Sequence, residues 1–300
     1  MNRIDAGTEP AYIRSFHRST RRMSDFDPHS VPIRPAATVM LIDDRPDLQV
    51  FMMERHANTV FAGGMWVFPG GAVDHQDDPA YYQDIAIHRT DAEASELMGL
   101  DSGGLAYYMA AIRETFEEAG ILLALHAEDE SPLLISEQDT PRFNTYRDQL
   151  NAGEIDLKTI LQQEDLLADV GQMHYIANWI TPLGSPRRFN ARFFIARIPS
   201  NQVPEHDDGE LVNSEWLSPH EVLKKSEAGE MTMISVTERM TRSLAMFESA
   251  DQAIKAAAMN LPDERARVDR TTGKITMPGE PGYEDGNEDV ETGWVRLRPV

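Results

Sequence analysis

Arg113-Glu114-Thr115-Phe116-Glu117-Glu118-Ala119-Gly120-Ile121 is the stretch on which the reading of this chain turns. Residues 105–119 hold neither proline nor glycine, and Leu105, Met109, Ile112 and Phe116 recur at helical spacing. On such a helix Glu114, Glu117 and Glu118 stand at i, i+3 and i+4 and leave by one face. Three like charges so placed weaken a helix unless cations neutralise them. Hard divalent ions such as Mg²⁺ or Mn²⁺ suit an all-oxygen cluster of this kind. Gly120 follows as a left-handed helix stop, and Ile121-Leu122-Leu123 reads as a strand. A solvated, salt-bridged helix face accounts for an isolated acidic doublet. It does not account for an arginine ahead of the first glutamate, a doublet at fixed spacing and a glycine–aliphatic close, all together.

Upstream, Trp66-Val67-Phe68-Pro69-Gly70-Gly71 closes an apolar run in a glycine turn, and 35 residues then separate Asp77 from Arg113. The two segments resemble the halves of the signature of the Nudix hydrolases, which cleave phosphoanhydride bonds with divalent metal. In the family pattern a glycine precedes a glutamate by five residues. After seven more come Arg-Glu, an aliphatic, any residue, Glu-Glu, any residue, Gly and an aliphatic. Gly71, Arg113, Glu114, Glu117, Glu118, Gly120 and Ile121 fill their positions, while Thr115 replaces an aliphatic. Asp77 stands at the place of the first glutamate, but the long spacer leaves it without an assigned role.

The resemblance implies an α/β fold, the Nudix α/β/α sandwich with a mixed sheet. Residues 1–32 are expected to form a flexible arm and 33–260 the hydrolase domain, with helical insertions at about 72–104 and 128–171. An extended C-terminal tail is expected over 261–300, which carries Pro278, Gly279, Pro281, Gly282 and six acids from Glu280 to Glu291. For the site, the resemblance implies that Glu114, Glu117, Glu118 and the Gly70 carbonyl hold the metals, Mg²⁺ or Mn²⁺. Glu114 serves as ligand or base, Glu117 sits in the same catalytic set, and Arg113 orients the carboxylates. Such ions bridge phosphate oxygens and lower the pKa of a bound water, whose proton a carboxylate helps remove. A later acidic ligand precedes a strand-ending Trp in many members. Here Glu205, Asp208 and Glu210 precede Trp216, with Glu210 the preferred candidate and a solvated acidic loop the alternative.

Residues 33–260, including Pro186-Arg187-Arg188-Phe189-Asn190-Ala191-Arg192 and Glu215-Trp216-Leu217-Ser218-Pro219, are similar to the branch of mammalian peroxisomal coenzyme A diphosphatases. That branch also carries a long insertion inside the box. Arg187, Arg188 and Arg192 are candidates to clamp substrate phosphates, or else to pair with surface acids. Of the upstream coenzyme A motif, Arg55, Gly64 and Phe68-Pro69-Gly70-Gly71 match. His56, Val60 and Trp66 replace its Ser, Arg and Val. Coenzyme A or its esters therefore lead, with dinucleotides and nucleotide sugars open. The reading from another class is a Nudix-fold nucleotide-binding regulator without catalysis.

With 28 basic against 50 acidic residues, the formal charge of −22 argues against a nucleic-acid backbone as principal partner. An anionic nucleotide-type small molecule then needs a local positive pocket, for which metals and Arg55, Arg187, Arg188 or Arg192 are the candidates. Zero cysteines exclude disulfides and thiolate metal sites. Without an apolar run of transmembrane length or a signal-peptide core, the expectation is a cytoplasmic enzyme with no membrane partner. The insertions are read as lids or as homodimer surfaces.

Locally, residues 35–42 and 49–55 read as a hairpin, 173–180 and 191–198 as strands, and 91–98 as a short helix. Leu157, Ile160 and Leu161 line one helix face. Ser218-Pro219-His220-Glu221 is a capping box with Pro at the first helical position, and Ser235 with Glu238 repeats the pattern before a helix reaching about Asn260. Trp66, Tyr107, Tyr108 and Trp179 are read as core.

Overall fold

The computed structural model describes residues 27–59, 62–205, 211–287 and 292–300. In chain order, strands β1 (Ile33–Asp44) and β2 (Leu48–Arg55) form a hairpin, followed by the short β3 (Trp66–Val67) and β4 (Gly70–Ala72). The first insertion carries α1 (Pro79–Tyr82), β5 (Ala86–Ile87) and α2 (Asp91–Met98), and leads into the box helix α3 (Gly104–Ala119). After β6 (Ala124–His126), the second insertion supplies α4 (Thr140–Asn151), α5 (Leu157–Gln163) and β7 (Leu166–Asp169). Strands β8 (His174–Ile180), β9 (Arg188–Arg197) and β10 (Leu211–Leu217) precede helices α6 (Pro219–Glu227), α7 (Ser235–Leu244) and α8 (Ala250–Ala258). The chain closes through β11 (Glu264–Arg265), β12 (Arg267–Val268), β13 (Ile275–Thr276) and β14 (Thr292–Val295).

The main sheet runs β10-β2-β1-β9-β8-β14-β11, with β3 attached to β2 and β4 to β1. It is mixed, because β1 and β9 pair in parallel from Ile33↔Arg188 to Ile42↔Arg197 while the other pairings are antiparallel. Alternation along β1 divides the core as a period-2 strand requires. Ala37, Val39 and Leu41 face the cluster that includes Met109, Ile112 and Phe116 of α3, while Met40 and Ile42 face Val222, Met240, Leu244 and Ala253 of α6, α7 and α8. Both faces are covered, which gives the expected α/β/α layering.

The helices begin where the capping signals stand. Thr90 and Glu93 form a reciprocal cap on α2, and Ser218 with Glu221 does the same for α6. The single helix expected from Ser235 to about Asn260 is two. Ser235 is the first helical residue of α7 and not its cap, the helix ends at Leu244, and Ser249 caps a separate α8 by accepting from the Gln252 N–H. The break lets the Ala250 N–H donate to Asp44 Oδ1 at 2.8 Å, fastening α8 to the end of β1.

The two insertions join each other. β5 of the first pairs in parallel with β7 of the second, and β6 completes a small three-stranded sheet. The boundary drawn at residue 260 also falls inside the packed structure. β14 extends the main sheet against β8, and Val295 and Leu297 are buried in the core. Gly293 makes this docking close, since a Cβ there would lie 2.1 Å from the Trp179 ring. Among the described residues, no helix is long and apolar enough to cross a membrane. Of the 1–32 arm, residues 1–26 lie outside the described set.

Candidate active site

The apolar stripe of α3 fixes the orientation of its acids. Leu105, Met109, Ile112 and Phe116 are buried against the sheet, so the edge carrying Glu114, Glu117 and Glu118 turns toward the glycine turn. That turn is held on β1 by the pairs Ala36↔Ala72, Ala37↔Gly71 and Thr38↔Gly70. Neither glycine has room for a side chain. A Cβ at Gly70 would stand 2.3 Å from the Ala37 carbonyl oxygen, and one at Gly71 would stand 2.3 Å from the Glu114 carboxylate.

Arg113 is the hub. Its Nε and Nη2 donate to the two oxygens of Asp77, each at 3.0 Å. Nη2 also donates to the Ala72 carbonyl at 2.9 Å, and Nη1 to Glu114 at 2.8 Å and Glu117 at 2.9 Å. The Arg113 side chain is 5% exposed and that of Asp77 not at all. Burial opposes the Arg113 charge, but the Asp77 bonds and the charges of Glu114, Asp77 and Glu117 more than offset it, raising its pKa. Burial, with a smaller push from the Asp74 charge, moves the Asp77 carboxyl up toward the neutral acid against the pull of Arg113. The geometry argues for the carboxylate, because both oxygens accept from one guanidinium. Asp77 is itself locked in place by a reciprocal cap with Asp74.

Glu118 Oε2 accepts from the Gly70 N–H at 2.7 Å, and Oε1 lies 3.9 Å from Arg55 Nη1. The Glu117 carboxyl is pushed up to about 7, first by burial, with the Glu114 charge adding and Arg113 opposing. At the end of α3, Gly120 takes a left-handed φ of 69°, and Arg147 from the second insertion binds the last carbonyls. Its Nε donates to the Glu117 carbonyl at 2.8 Å and its Nη2 to that of Glu118 at 2.7 Å. The Glu205 N–H donates to the Ala119 carbonyl at 3.0 Å, so the acidic loop departs from the box helix. Glu210 and Asp208, candidate ligands on that loop, lie outside the described residues, as does Val60 of the upstream motif.

Glu114, Glu117, Glu118, Arg113, Gly70 and Arg55 are thus brought together, and Arg187, Arg188 and Arg192 are not. Arg192 sits in the cross-strand row of Gly71 and Ala37 but is enclosed, at 4% exposure, between Tyr107 and Tyr175. It donates to the Met98 carbonyl and the Tyr175 hydroxyl, each at 3.3 Å, and so pins the first insertion to the sheet instead of facing a cleft. Arg187 and Arg188 lie at the start of β9 opposite Ile33, five residues along β1 from the partner of Gly70, or about 16 Å. Tyr107, Tyr108, Trp66 and Trp179 are buried. Sequence reasoning left Asp77 without a role and passed over Arg147. The capping box Asp74–Asp77 was the available signal for the first; a lone arginine in a polar helix gave none for the second.

Among the described residues, no group of three or more acidic or imidazole side chains forms a ready metal cage. Instead Glu114 and Glu117 rest on Arg113, and Glu118 on the Gly70 amide. The donor chemistry still fits a hard divalent ion. All side-chain donors are carboxylate oxygens, and Asp77, Glu114, Glu117 and Glu118 outnumber the guanidinia of Arg113 and Arg55.

A family model described as the NUDT19 Nudix domain matches residues 100–235. The acyl-coenzyme A diphosphatase NUDT19 of Xenopus laevis is 25% identical over 207 residues, covering 59% of this chain and 54% of that protein. The Homo sapiens protein of the same name is 24% identical over 231 residues, covering 67% and 61%. This chain therefore spans little more than half the length of the first of these relatives. The crystal structure of a NUDIX hydrolase from Alicyclobacillus acidocaldarius superposes with a TM-score of 0.62 at 25% identity, over 75% of this chain and 97% of that one. With its sandwich fold, its split box closed around Arg113 and these similarities, the chain resembles the Nudix hydrolases, and among them the coenzyme A diphosphatases.

Proposed function

We propose that the chain hydrolyses a phosphoanhydride bond in a nucleoside diphosphate derivative, with coenzyme A or its acyl esters as leading substrates. The observation that carries this reading is the Arg113 hub, which gathers Glu114, Glu117 and the Ala72 carbonyl beside Gly70 and Gly71 despite the insertion between them. The names of the relatives favour coenzyme A esters; dinucleotides and nucleotide sugars are the other candidates of the same chemistry.

Glu114, Glu117, Glu118 and the Gly70 carbonyl would hold Mg²⁺ or Mn²⁺. Bound there, the ion would act as a Lewis acid on phosphate and make bound water more acidic. The remaining work belongs to the chain. Arg113 holds two carboxylates at fixed positions, so that little reorganisation is needed when substrate arrives. Glu114 or Glu117 accepts the proton of the attacking water, and burial brings Glu117 into the range useful for that transfer. Arg55, beside Glu118, supplies positive charge for the substrate phosphates.

The test is product release from coenzyme A, acyl-coenzyme A esters, dinucleotides and nucleotide sugars, with and without Mn²⁺, for the parent and Glu118→Gln. The expected result is metal-dependent cleavage of one class, abolished in the variant with its thermal unfolding retained. Nucleotide binding without cleavage would favour the regulator reading, and near-parental turnover in Glu118→Gln would refute the site.

A further inference from the structure

Each end of the box helix is held by a different insertion, and the two insertions meet beside one histidine. Asp91 of the first insertion accepts from the Gly103 N–H at 3.0 Å and the Leu105 N–H at 2.9 Å, closing the start of α3. Arg147 of the second binds the carbonyls at its end. The insertions touch through the parallel pair β5–β7, where the Ala168 N–H donates to the Ile85 carbonyl at 2.8 Å. First insertion, box helix and second insertion thus form a closed brace, and slack at the β5–β7 joint reaches both caps.

His88 stands at that joint, directly after β5 and shortly before Asp91. Its Nδ1 lies 3.0 Å from Asp169 Oδ1 at the end of β7, and its Nε2 lies 3.7 Å from Glu130 Oε2 in the turn after β6. The Asp169 side chain is 3% exposed, and among the described residues His88 is the only cationic group paired with it. The same Asp169 oxygen accepts from the Gly171 N–H at 3.1 Å. A Cβ at Gly171 would lie 2.7 Å from the His88 Cβ, so the two segments are in direct contact. His88 also takes a left-handed φ of 68°, a conformation that side chains disfavour and that persists only where surrounding contacts outweigh it.

The charged groups facing the ring are Asp169 from β7 and Glu130 from the turn after β6, and both are acidic. Arg89, the neighbouring cation on its own segment, lies instead over the Tyr108 ring, 5.2 Å from its centre. The bond to Asp169, helped by the charges of Asp169 and Glu130, outweighs the burial that opposes the charge and moves the ring's pKa above its ordinary 6.5. An imidazolium donates through both nitrogens, whereas the neutral ring turns a lone pair toward one of the two carboxylates. We propose that protonated His88 clasps the two insertions into a brace around the box helix, and that its deprotonation slackens the brace. Because the folded pKa is raised, this contribution is complete below about 6.5 and is lost as pH rises through the folded value. The device acts on the site described above but is read without metal, substrate or turnover.

Amide hydrogen exchange of the full chain at Ala168 and Leu105, corrected for the intrinsic pH dependence of exchange, tests the proposal together with NMR titration of the His88 ring. His88→Asn is the comparison, because asparagine tolerates left-handed backbone and can still donate to Asp169 but does not titrate. Ionisation of Glu117 acts on both proteins, so the difference between them belongs to His88. From about pH 6 to about pH 8.5 the parent should lose at least about threefold more protection than the variant at both amides. Its ring should titrate above 6.5, and Glu130→Gln, at an exposed position, should lower that value. Equal pH dependence in the parent and His88→Asn, or a ring that titrates at or below 6.5, would overturn the clasp. Protection lost at Ala168 with Leu105 unmoved would overturn the brace, by confining the effect to the joint.

Discussion

Asp77→Ala should cost the protein both stability and turnover, and by amounts that separate the two roles of the pair. Asp77 is fully buried and binds Arg113 through both oxygens, while the guanidinium is 5% exposed. Removing one partner of a buried ion pair costs about 3–5 kcal/mol, chiefly because a charge is left without compensation. Arg113 would retain Glu114, Glu117 and the Ala72 carbonyl, which puts the loss near the lower bound, at about 3 kcal/mol. For a domain of this size that lowers Tm by roughly 6–12 °C. Urea unfolding of the metal-free protein, with unchanged m, gives the value. Turnover reports separately, because an Arg113 no longer anchored from behind holds Glu114 and Glu117 less firmly. The expected loss is in kcat, with KM little moved. A variant within about 0.5 kcal/mol of the parent and with parental kcat would refute the claim that Asp77 closes the box across the insertion.

Gly71→Ala places a methyl 2.3 Å from the Glu114 carboxylate, so activity should fall at least about tenfold in metal-saturated assays while circular dichroism stays native. Glu117 has a folded pKa near 7 against an ordinary 4.5, so its ionisation opposes folding. The metal-free protein should lose stability as pH rises from about 4.5 to about 7, by a total on the order of 3 kcal/mol, and Glu117→Gln should flatten that slope in urea titrations. The same carboxyl is largely protonated at pH 6, so Mn²⁺ uptake should release more protons there than at pH 8, read from calorimetry in buffers of different ionisation enthalpy. Arg147→Ala removes its two bonds to carbonyls at the end of the box helix, leaving that of Glu117 only a long bond from Asn151 Nδ2, and should cost about 1–3 kcal/mol by thermal unfolding, with a larger relative loss of kcat than of substrate affinity.

Short-range order was legible in the residues. The stripe Leu105, Met109, Ile112 and Phe116 set both the helix and the face from which its glutamates leave, and Gly120 marked its end. Thr90 with Glu93, and Ser218 with Glu221, gave true helix starts, because capping is a contact across three residues. Ser235 shows the limit of that rule: its spacing to Glu238 is right, yet the helix includes it, and the turn at Ser249 is set by a contact with Asp44 far upstream.

What the residues alone determined was the box chemistry, an acidic helix edge beside a glycine turn too crowded for side chains. Only the tertiary structure decided that Asp77 would meet Arg113 across a separation of 36, that Arg147 would cap the box helix from an insertion, and that β14 would complete the sheet. It also enclosed Arg192 and set Arg187 and Arg188 apart from the box. Periodicity and capping act over one or two turns of backbone. The partner of a buried charge, by contrast, is chosen by whichever distant group packing brings within 3 Å, and no local pattern encodes that choice.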